Sequence, residues 1–421
     1  MIDSFKQVSW ANTASIYEVN IRQYTAEGTF KAFEKHLPRI KEMGIDIVWL
    51  MPITPISQVN KKGSLGSYYA CSSYTKISPE FGSVNDFKDL VDAAHALGMK
   101  VIIDWVANHT GSQHEWMQEN PSWFAQDAAG NFTERNGWDD VVDLNFDNPS
   151  MRIALIDAME YWVNQFNIDG FRCDMAHLVP LDFWIEARTN LEKIKMLYWL
   201  AETEDIAYHQ VFDTSYAWAW MHASKKVGKE LDGLQEVYNV LHQYAQYPKG
   251  AYKLFFTSNH DENSWNGTEY EKYGIAAKAW AVFTATWNGQ PLIYSGQELP
   301  NTKRLAFFDK DQIEWTTELP RLHQFYKTLL TARKAFPVLQ SSNVFNLPTE
   351  GAVMAYLKQD QGQTALVVLN FSADRQHLHV AHEAFSGRFT NLFSGLSFEF
   401  NGDSHFELMP GEYIVYLKGS I

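Results

Sequence analysis

Residues 168–174, Ile168-Asp169-Gly170-Phe171-Arg172-Cys173-Asp174, read as a barrel strand carrying an arginine and a carboxylate on one face. Residues two apart in a strand point the same way, so Arg172 and Asp174 project together while Phe171 and Cys173 face the other side. A guanidinium within a few ångströms favours the ionised carboxylate, which predicts a lowered pKa for Asp174. A carboxylate held ionised suits a nucleophile; the same pair also reads as a structural ion pair at a strand end.

Outward from this stretch, short apolar runs alternate with amphipathic helices. Strands are predicted at 15–20, 45–51, 99–104, 170–174, 196–202, 211–216, 254–259 and 290–294. Helical periodicity runs through 33–43 and stops at Gly44; Ser83 N-caps a second helix that Gly98 closes. Further helices are expected at 150–166, 181–195, 270–287 and 321–334. Eight β-then-α units predict an α/β fold, a TIM (β/α)8 barrel, built from residues 1–109 and 146–336. Residues 110–145 are polar and aromatic without a βα period, and read as a small subdomain inserted after strand 3. Trp116, Trp123 and Trp138 fall there, either packing the insert or lining a cleft. Past Pro337 the pattern changes. Short β-rich runs at 353–357, 364–369, 377–380, 387–391 and 413–418 predict a C-terminal antiparallel β-sandwich domain over 337–421.

Composition narrows the function. A formal net charge of −15 over 421 residues disfavours nucleic acid and anionic membrane as partners. No run of 18 apolar residues predicts a membrane span. The first seven residues have no apolar h-region, so a cytoplasmic location is expected. Cys71 and Cys173 fit neither a disulfide framework nor a zinc spacing, and Cys173 reads as a small buried hydrophobe. The 15 Trp, 20 Tyr and 27 Phe supply flat platforms of the kind sugar rings stack on.

Barrel active sites lie at the C-terminal ends of the strands, and polar residues collect there. Strand three runs into Asp104 and Asn108-His109, strand four carries Arg172 and Asp174, strand five ends at Glu202, and strand seven at His260-Asp261. The end of strand one, Tyr17-Glu18-Val19-Asn20, lacks the His-x-His of a metal hydrolase. No GxxxxGK[ST] loop is present for phosphate chemistry. Paired carboxylates with aromatic platforms suit cleavage of a glycosidic bond, one acting as nucleophile and one as proton donor.

Read together, residues 44–52 (GIDIVWLMP), 104–109 (DWVANH), 141–145 (VVDLN), 170–177 (GFRCDMAH), Glu202, 256–261 (FTSNHD) and 289–298 (GQPLIYSGQE) resemble the ordered regions of the α-amylase family of glycoside hydrolases. The resemblance extends to 408–413 (LMPGEY) near the C-terminus and so covers essentially the whole chain. It implies catalytic roles for Asp174 as nucleophile, Glu202 as general acid and then base, and Asp261 as a third carboxylate gripping sugar hydroxyls. Glu202 then needs a raised pKa, expected from nearby Asp174 and Asp261. The resemblance further implies that Arg172 holds Asp174, that His109 and His260 bond the same sugar, and that Tyr69 stacks beneath it. His177 stands where starch-degrading relatives often carry a lysine that contacts the leaving side of the glucan.

The chain departs from the family pattern at 70–73 (ACSS) after Tyr69, and at 203–205 (TED), where Glu204 is a rival proton donor to Glu202. The chemistry requires no cofactor. A structural calcium ion is implied by the resemblance, with Asn108 and Asp143 as two oxygen ligands, short of the six to eight that calcium takes. The function expected is a retaining α-glucosidic hydrolase cleaving α-1,4 bonds of starch-derived maltodextrins, its partner an α-glucan oligosaccharide or polysaccharide. A transglucosylase or sugar isomerase on the same scaffold is the alternative. A non-catalytic glucan-binding relative would be expected to have lost carboxylates that this chain keeps.

Overall fold

Eight parallel strands close a barrel in simple chain order: β1 (Ile16–Val19), β2 (Ile47–Leu50), β3 (Lys100–Trp105), β4 (Gly170–Cys173), β5 (Tyr198–Ala201), β6 (Thr214–Tyr216), β7 (Tyr252–Phe255) and β8 (Gln290–Tyr294), with β8 returning to β1. The structure, a computed structural model, describes residues 5–229, 233–315 and 319–419. The first four residues of the N-terminal segment and the last two of the C-terminal domain lie outside that range. Each of the eight strands overlaps a short apolar run read as a strand, but β7 begins two residues earlier than the expected 254–259 and ends at Phe255, so residues 256–259 form a loop. Gly170 opens β4 because β5 passes so close there: an added Cβ would sit 2.0 Å from the Tyr198 carbonyl oxygen.

The expected helices form with two breaks, and two more, Trp218–Ser224 and Gly233–Tyr244 between β6 and β7, were not anticipated. The first expected helix is divided into Phe30–Glu34 and Leu37–Glu42, since Pro38 is tolerated in a first turn and not in a helix interior. The segment expected to run unbroken from 270 to 287 divides into Glu269–Tyr273 and Ala277–Thr286, interrupted at Gly274 with φ +54°. Elsewhere the caps behave as read: Ser83 and Asp86 form a reciprocal capping box on Val84–Ala96. Among the described residues, no helix is long and apolar enough to cross a membrane. Between β3 and β4 the chain makes a two-stranded antiparallel ribbon, His109–Gly111 against Val141–Asp143.

The C-terminal strands are β9 (Val344–Asn346), β10 (Val353–Asp360), β11 (Gln363–Asn370), β12 (Gln376–Asn391), β13 (Ser397–Leu408) and β14 (Tyr413–Lys418). They hydrogen-bond as one continuous antiparallel sheet in the order β9-β10-β11-β14-β12-β13, the antiparallel C-terminal domain that was expected, and it serves two cores. Met354, Tyr356, Val367, Leu369 and Val415 join the barrel core, while Val353, Leu366, Leu378, Val380 and Phe389 form a second cluster. The runs expected at 377–380 and 387–391 are two ends of β12, joined through a bulge between Ala381 and Ser386.

The sheet is fastened to the barrel through the helix Ala277–Thr286. Phe371 stacks on Trp280 with ring centroids 3.7 Å apart and planes 7° apart. The buried Lys358 donates through Nζ to the carbonyls of Thr286 (2.9 Å) and Leu339 (2.7 Å).

Candidate active site

The barrel register brings the site together. Asp104 on β3 pairs with Arg172 on β4, and Cys173 pairs with Ala201 on β5. Asp174 and Glu202 follow Cys173 and Ala201 directly, so they occupy one rung past the strand ends. Their backbone N–H groups donate to Trp105 O and Cys173 O, each at 3.0 Å.

Arg172, fully buried, is the centre of the cluster. Its Nη1 donates to Asp104 Oδ1 and to Asp174 Oδ1, both at 2.9 Å. Its Nη2 lies 2.7 Å from Glu202 Oε2, in charge contact though without hydrogen-bond alignment. Nε donates to the Tyr216 hydroxyl at 3.1 Å. Asp104 also accepts from Trp49 Nε1 (3.2 Å) and from the Tyr69 hydroxyl (3.1 Å), which makes it the seat of the guanidinium. Glu202 Oε2 accepts in addition from the N–H of Met175 at 3.0 Å. That donor is aimed by a left-handed backbone at Met175, φ +41° and ψ +45°, a strained conformation for a non-glycine residue.

The pKa of Asp174 corrects the expectation from the isolated strand. Burial pushes its carboxyl up, and Arg172, although it pulls the other way, does not outweigh that. Strand spacing shows the arginine but not the depth at which the carboxylate sits. Glu202 is raised as anticipated, by burial first and by the charge of Asp174, with Arg172 opposing. Asp261 is also raised, by burial in the cleft against the pull of His260, although its side chain remains 37% exposed.

The two histidines are held in opposite states. His109 is buried without a strong partner, which lowers it to about 4 and leaves it neutral at pH 7. Its Nδ1 lies 3.1 Å from Asn108 Nδ2, and its ring meets Trp138 edge-on at 5.2 Å. Burial also pulls His260 down, but Asp261 and Glu18 overcome it and raise the imidazole to about 9. The imidazolium bonds Glu18 through Nδ1 and donates through Nε2 to the Tyr69 hydroxyl at 2.8 Å. Tyr69 in turn donates to Asp104, so a chain of hydrogen bonds links Glu18, His260, Tyr69 and Asp104, its donors running outward from the imidazolium.

An aromatic wall continues from Tyr69. Phe307 lies nearly parallel to it, centroids 6.4 Å apart, and Trp265 follows at 5.4 Å from Phe307 with more than half its surface exposed. Glu18, Tyr216, Phe307 and Trp265 were not singled out from the sequence. For Glu18 the signal was present, an acidic residue inside the apolar strand β1.

Other residues lie apart from the cluster. His177 sits exposed in the short turn Ala176–Leu178 after β4. Glu204 is turned away: it accepts from Ala219 N (2.8 Å) and from the Tyr244 hydroxyl. Trp116 and Trp123 pack edge-on at 5.0 Å inside the insert. Cys71 and Cys173 are free and buried.

Asn108 and Asp143, the two ligands implied for calcium, do come together. Asn108 Nδ2 donates to Asp143 Oδ1 at 3.2 Å. The other oxygen, Asp143 Oδ2, accepts from Arg135 Nε at 2.7 Å. Both carboxylate oxygens thus face N–H donors and a guanidinium supplies the positive charge; only Asn108 Oδ1, buried without a partner, is an uncommitted oxygen. This arrangement does not fit a calcium cage of six to eight oxygens.

Comparison with known proteins agrees with this architecture. The family profile described as "Alpha amylase, catalytic domain" matches residues 2–126 and 118–324, and that described as "Maltogenic Amylase, C-terminal domain" matches 345–415. An α-amylase structure from Lactobacillus plantarum is 31% identical with a TM-score of 0.88, covering 97% of this chain and 99% of that one. A noncanonic maltogenic α-amylase from Thermotoga neapolitana is likewise 31% identical with a TM-score of 0.89, covering 96% and 98%. Alpha-amylase MalA of Haloarcula japonica is 28% identical over 394 residues, 87% of this chain but 56% of the relative, so the chain spans little more than half the length of that protein. With its barrel and its C-terminal sheet both matched, the chain belongs to the α-amylase family.

Proposed function

We propose that this chain is a retaining α-glucan hydrolase that cleaves α-1,4 bonds of maltodextrins through a covalent glucosyl–Asp174 intermediate. The observation that carries the reading is the single guanidinium of Arg172 shared by Asp174 and Glu202 on one rung. Two carboxyls joined in this way suit the short separation of retaining enzymes, about 5–5.5 Å, rather than the wider gap that admits a water in inverting ones.

Both carboxyls accept an aligned N–H, Asp174 from the charged Arg172 and Glu202 from the Met175 backbone, and the division of roles follows that difference in donor charge together with the family resemblance. Asp174 receives an aligned N–H from Arg172, which favours its ionised form as nucleophile at the anomeric carbon. Glu202, raised by burial and by the charge of Asp174, retains the proton and delivers it to the departing glycosidic oxygen. Once the leaving sugar has gone, ionised Glu202 takes a proton from water as the water attacks the glucosyl carbon and releases Asp174. Asp261 and His260, a carboxylate beside an imidazolium, present an acceptor and a donor to sugar hydroxyls. Neutral His109, just past β3, is assigned a further contact with the same sugar. Phe307 and the exposed Trp265 extend the platform begun by Tyr69, which suits a chain of sugar rings over a single one. At the junction with the insert, Arg135 takes the part that calcium would otherwise play.

A timed product profile on maltoheptaose, with pullulan and trehalose alongside and Asp174→Asn as control, tests this. Shorter maltooligosaccharides, absent with the variant, are expected. Products longer than the substrate, or isomerised disaccharides, would instead identify a transglucosylase or sugar isomerase, and near-normal turnover by Asp174→Asn would exclude Asp174 as nucleophile.

A further inference from the structure

Far from the barrel mouth, the edge hairpin of the C-terminal sheet gathers three metal-ligating side chains on its solvent face. His379 of β12 is directly opposite His405 of β13, and Asp403 stands two residues along on the same face, opposite Ala381. Side chains opposed across an antiparallel pair have Cβ atoms about 4.5–5.5 Å apart, and diagonal neighbours remain within reach. Here the imidazole rings lie parallel, 8° between planes and 4.3 Å between centroids. His379 Nε2 is 2.9 Å from Asp403 Oδ1, and one ligand atom from each of the three residues fits within 4.8 Å of the others.

We propose that His379, His405 and Asp403 bind a borderline divalent cation of the zinc class, with water completing the coordination. Two imidazoles and one carboxylate are a donor set for Zn2+ or Cu2+ rather than for calcium, which prefers oxygen throughout. All three residues are exposed, so modest rotation of the rings turns their nitrogens toward a common point without disturbing packing. The backbone beneath is fixed, because Leu378 and Val380 anchor the other face of β12 in the second core. The ion would clip β13, the outermost strand of the sheet, to its neighbour. Binding to the folded hairpin and not to the unfolded chain would then raise thermal stability.

The test is calorimetric titration of Zn2+ into the full chain, free of any histidine tag and stripped of metal, beside His379→Ala/His405→Ala. One equivalent bound by the parent and lost from the double variant is expected, with a rise in Tm confined to the parent. Asp403→Asn should weaken binding less than either single histidine change, each of which should cost at least about tenfold, since even outer-shell partners are worth about 10–100-fold. With Cu2+ as a paramagnetic probe, the parent should show two nitrogen ligands and His405→Ala one. None of these residues touches the carboxylate cluster, so metal-free activity should be unchanged in every variant. Zn2+ binding of equal strength and stoichiometry in the double variant, or none at millimolar Zn2+, would overturn the proposal.

Discussion

Arg172 and Arg135 each bring a guanidinium to a buried carboxylate, yet the two regions are built to opposite ends. Arg172 has no exposed surface and serves three carboxylates at once, whereas Arg135 is 66% exposed and serves Asp143 alone. Around Arg172 water is excluded, so charges interact strongly and each unpaired one is costly. Around Arg135 the solvent screens, and a pair there contributes little beyond the aim it gives the carboxylate. The first arrangement sets up chemistry and tolerates strain; the second holds a loop in place.

The largest expected effect breaks the first region. Arg172→Ala leaves Asp104, Asp174 and Glu202 crowded without a counter-charge and should cost about 3–5 kcal/mol in urea unfolding, along with activity. A loss below about 1 kcal/mol would show that the guanidinium is not what holds the carboxylates. Next comes Glu202→Gln, which should unfold at a higher temperature than the parent at pH 7 while losing turnover of substrates with poor leaving groups. The sign follows from the raised pKa of Glu202. A carboxyl that binds its proton more tightly when folded contributes stability below its unfolded value, about 4.3, and that contribution is lost as pH rises through the folded value. Glutamine does not ionise, so its advantage should fade as the pH is brought down to 4. No gain at pH 7 would mean that the cluster is not strained.

His260 gives a third, smaller effect at the alkaline side. Its stabilisation is full below about pH 6.5 and is lost as pH rises through about 9, so Tm should decline over that interval. Glu18→Gln should flatten the decline, and an unchanged slope would remove Glu18 from the account. Last is Arg135→Ala, expected to cost less than Arg172→Ala because a single carboxylate loses its counter-charge and Asp143, though buried, keeps the N–H of Asn108. In the His379→Ala/His405→Ala background, which lacks the hairpin histidines, Tm should be indifferent to EDTA. Adding Arg135→Ala to that background frees Asp143 and should produce a gain in Tm on addition of Ca2+. A drop in Tm of the double histidine variant on chelation would show that Arg135 has not replaced the ion.

The same contrast governs what could be read before folding. The rung that unites Asp174 with Glu202 was legible, because strand periodicity and barrel order fix which residues emerge together. His260 and Asp261 were legible from their motif and not from strand register, since β7 ends at Phe255, five residues before His260. Arg135 was not: it lies in a segment without period, and its partner is chosen by the path of a loop. Phe307 and Trp265 meet from distant loops and left no local pattern either. Strand β13 escaped because Gly402 and Ser404 interrupt its inward face between Phe400 and Phe406, which breaks the alternation expected of a half-buried strand. The depth of Asp174, which reverses its expected pKa, belongs to the assembled barrel and to no heptapeptide.

The stack of Phe371 on Trp280 and the burial of the Lys358 ammonium against two carbonyls bear on how such a chain can be recombined. A sheet held this way is not a cassette. Exchanging the region after Pro337 with that of a relative would strand an aromatic face and unpair the Thr286 carbonyl unless the helix Ala277–Thr286 travelled with it. The workable crossover therefore lies upstream of that helix, inside the barrel, and not at the boundary that composition marks.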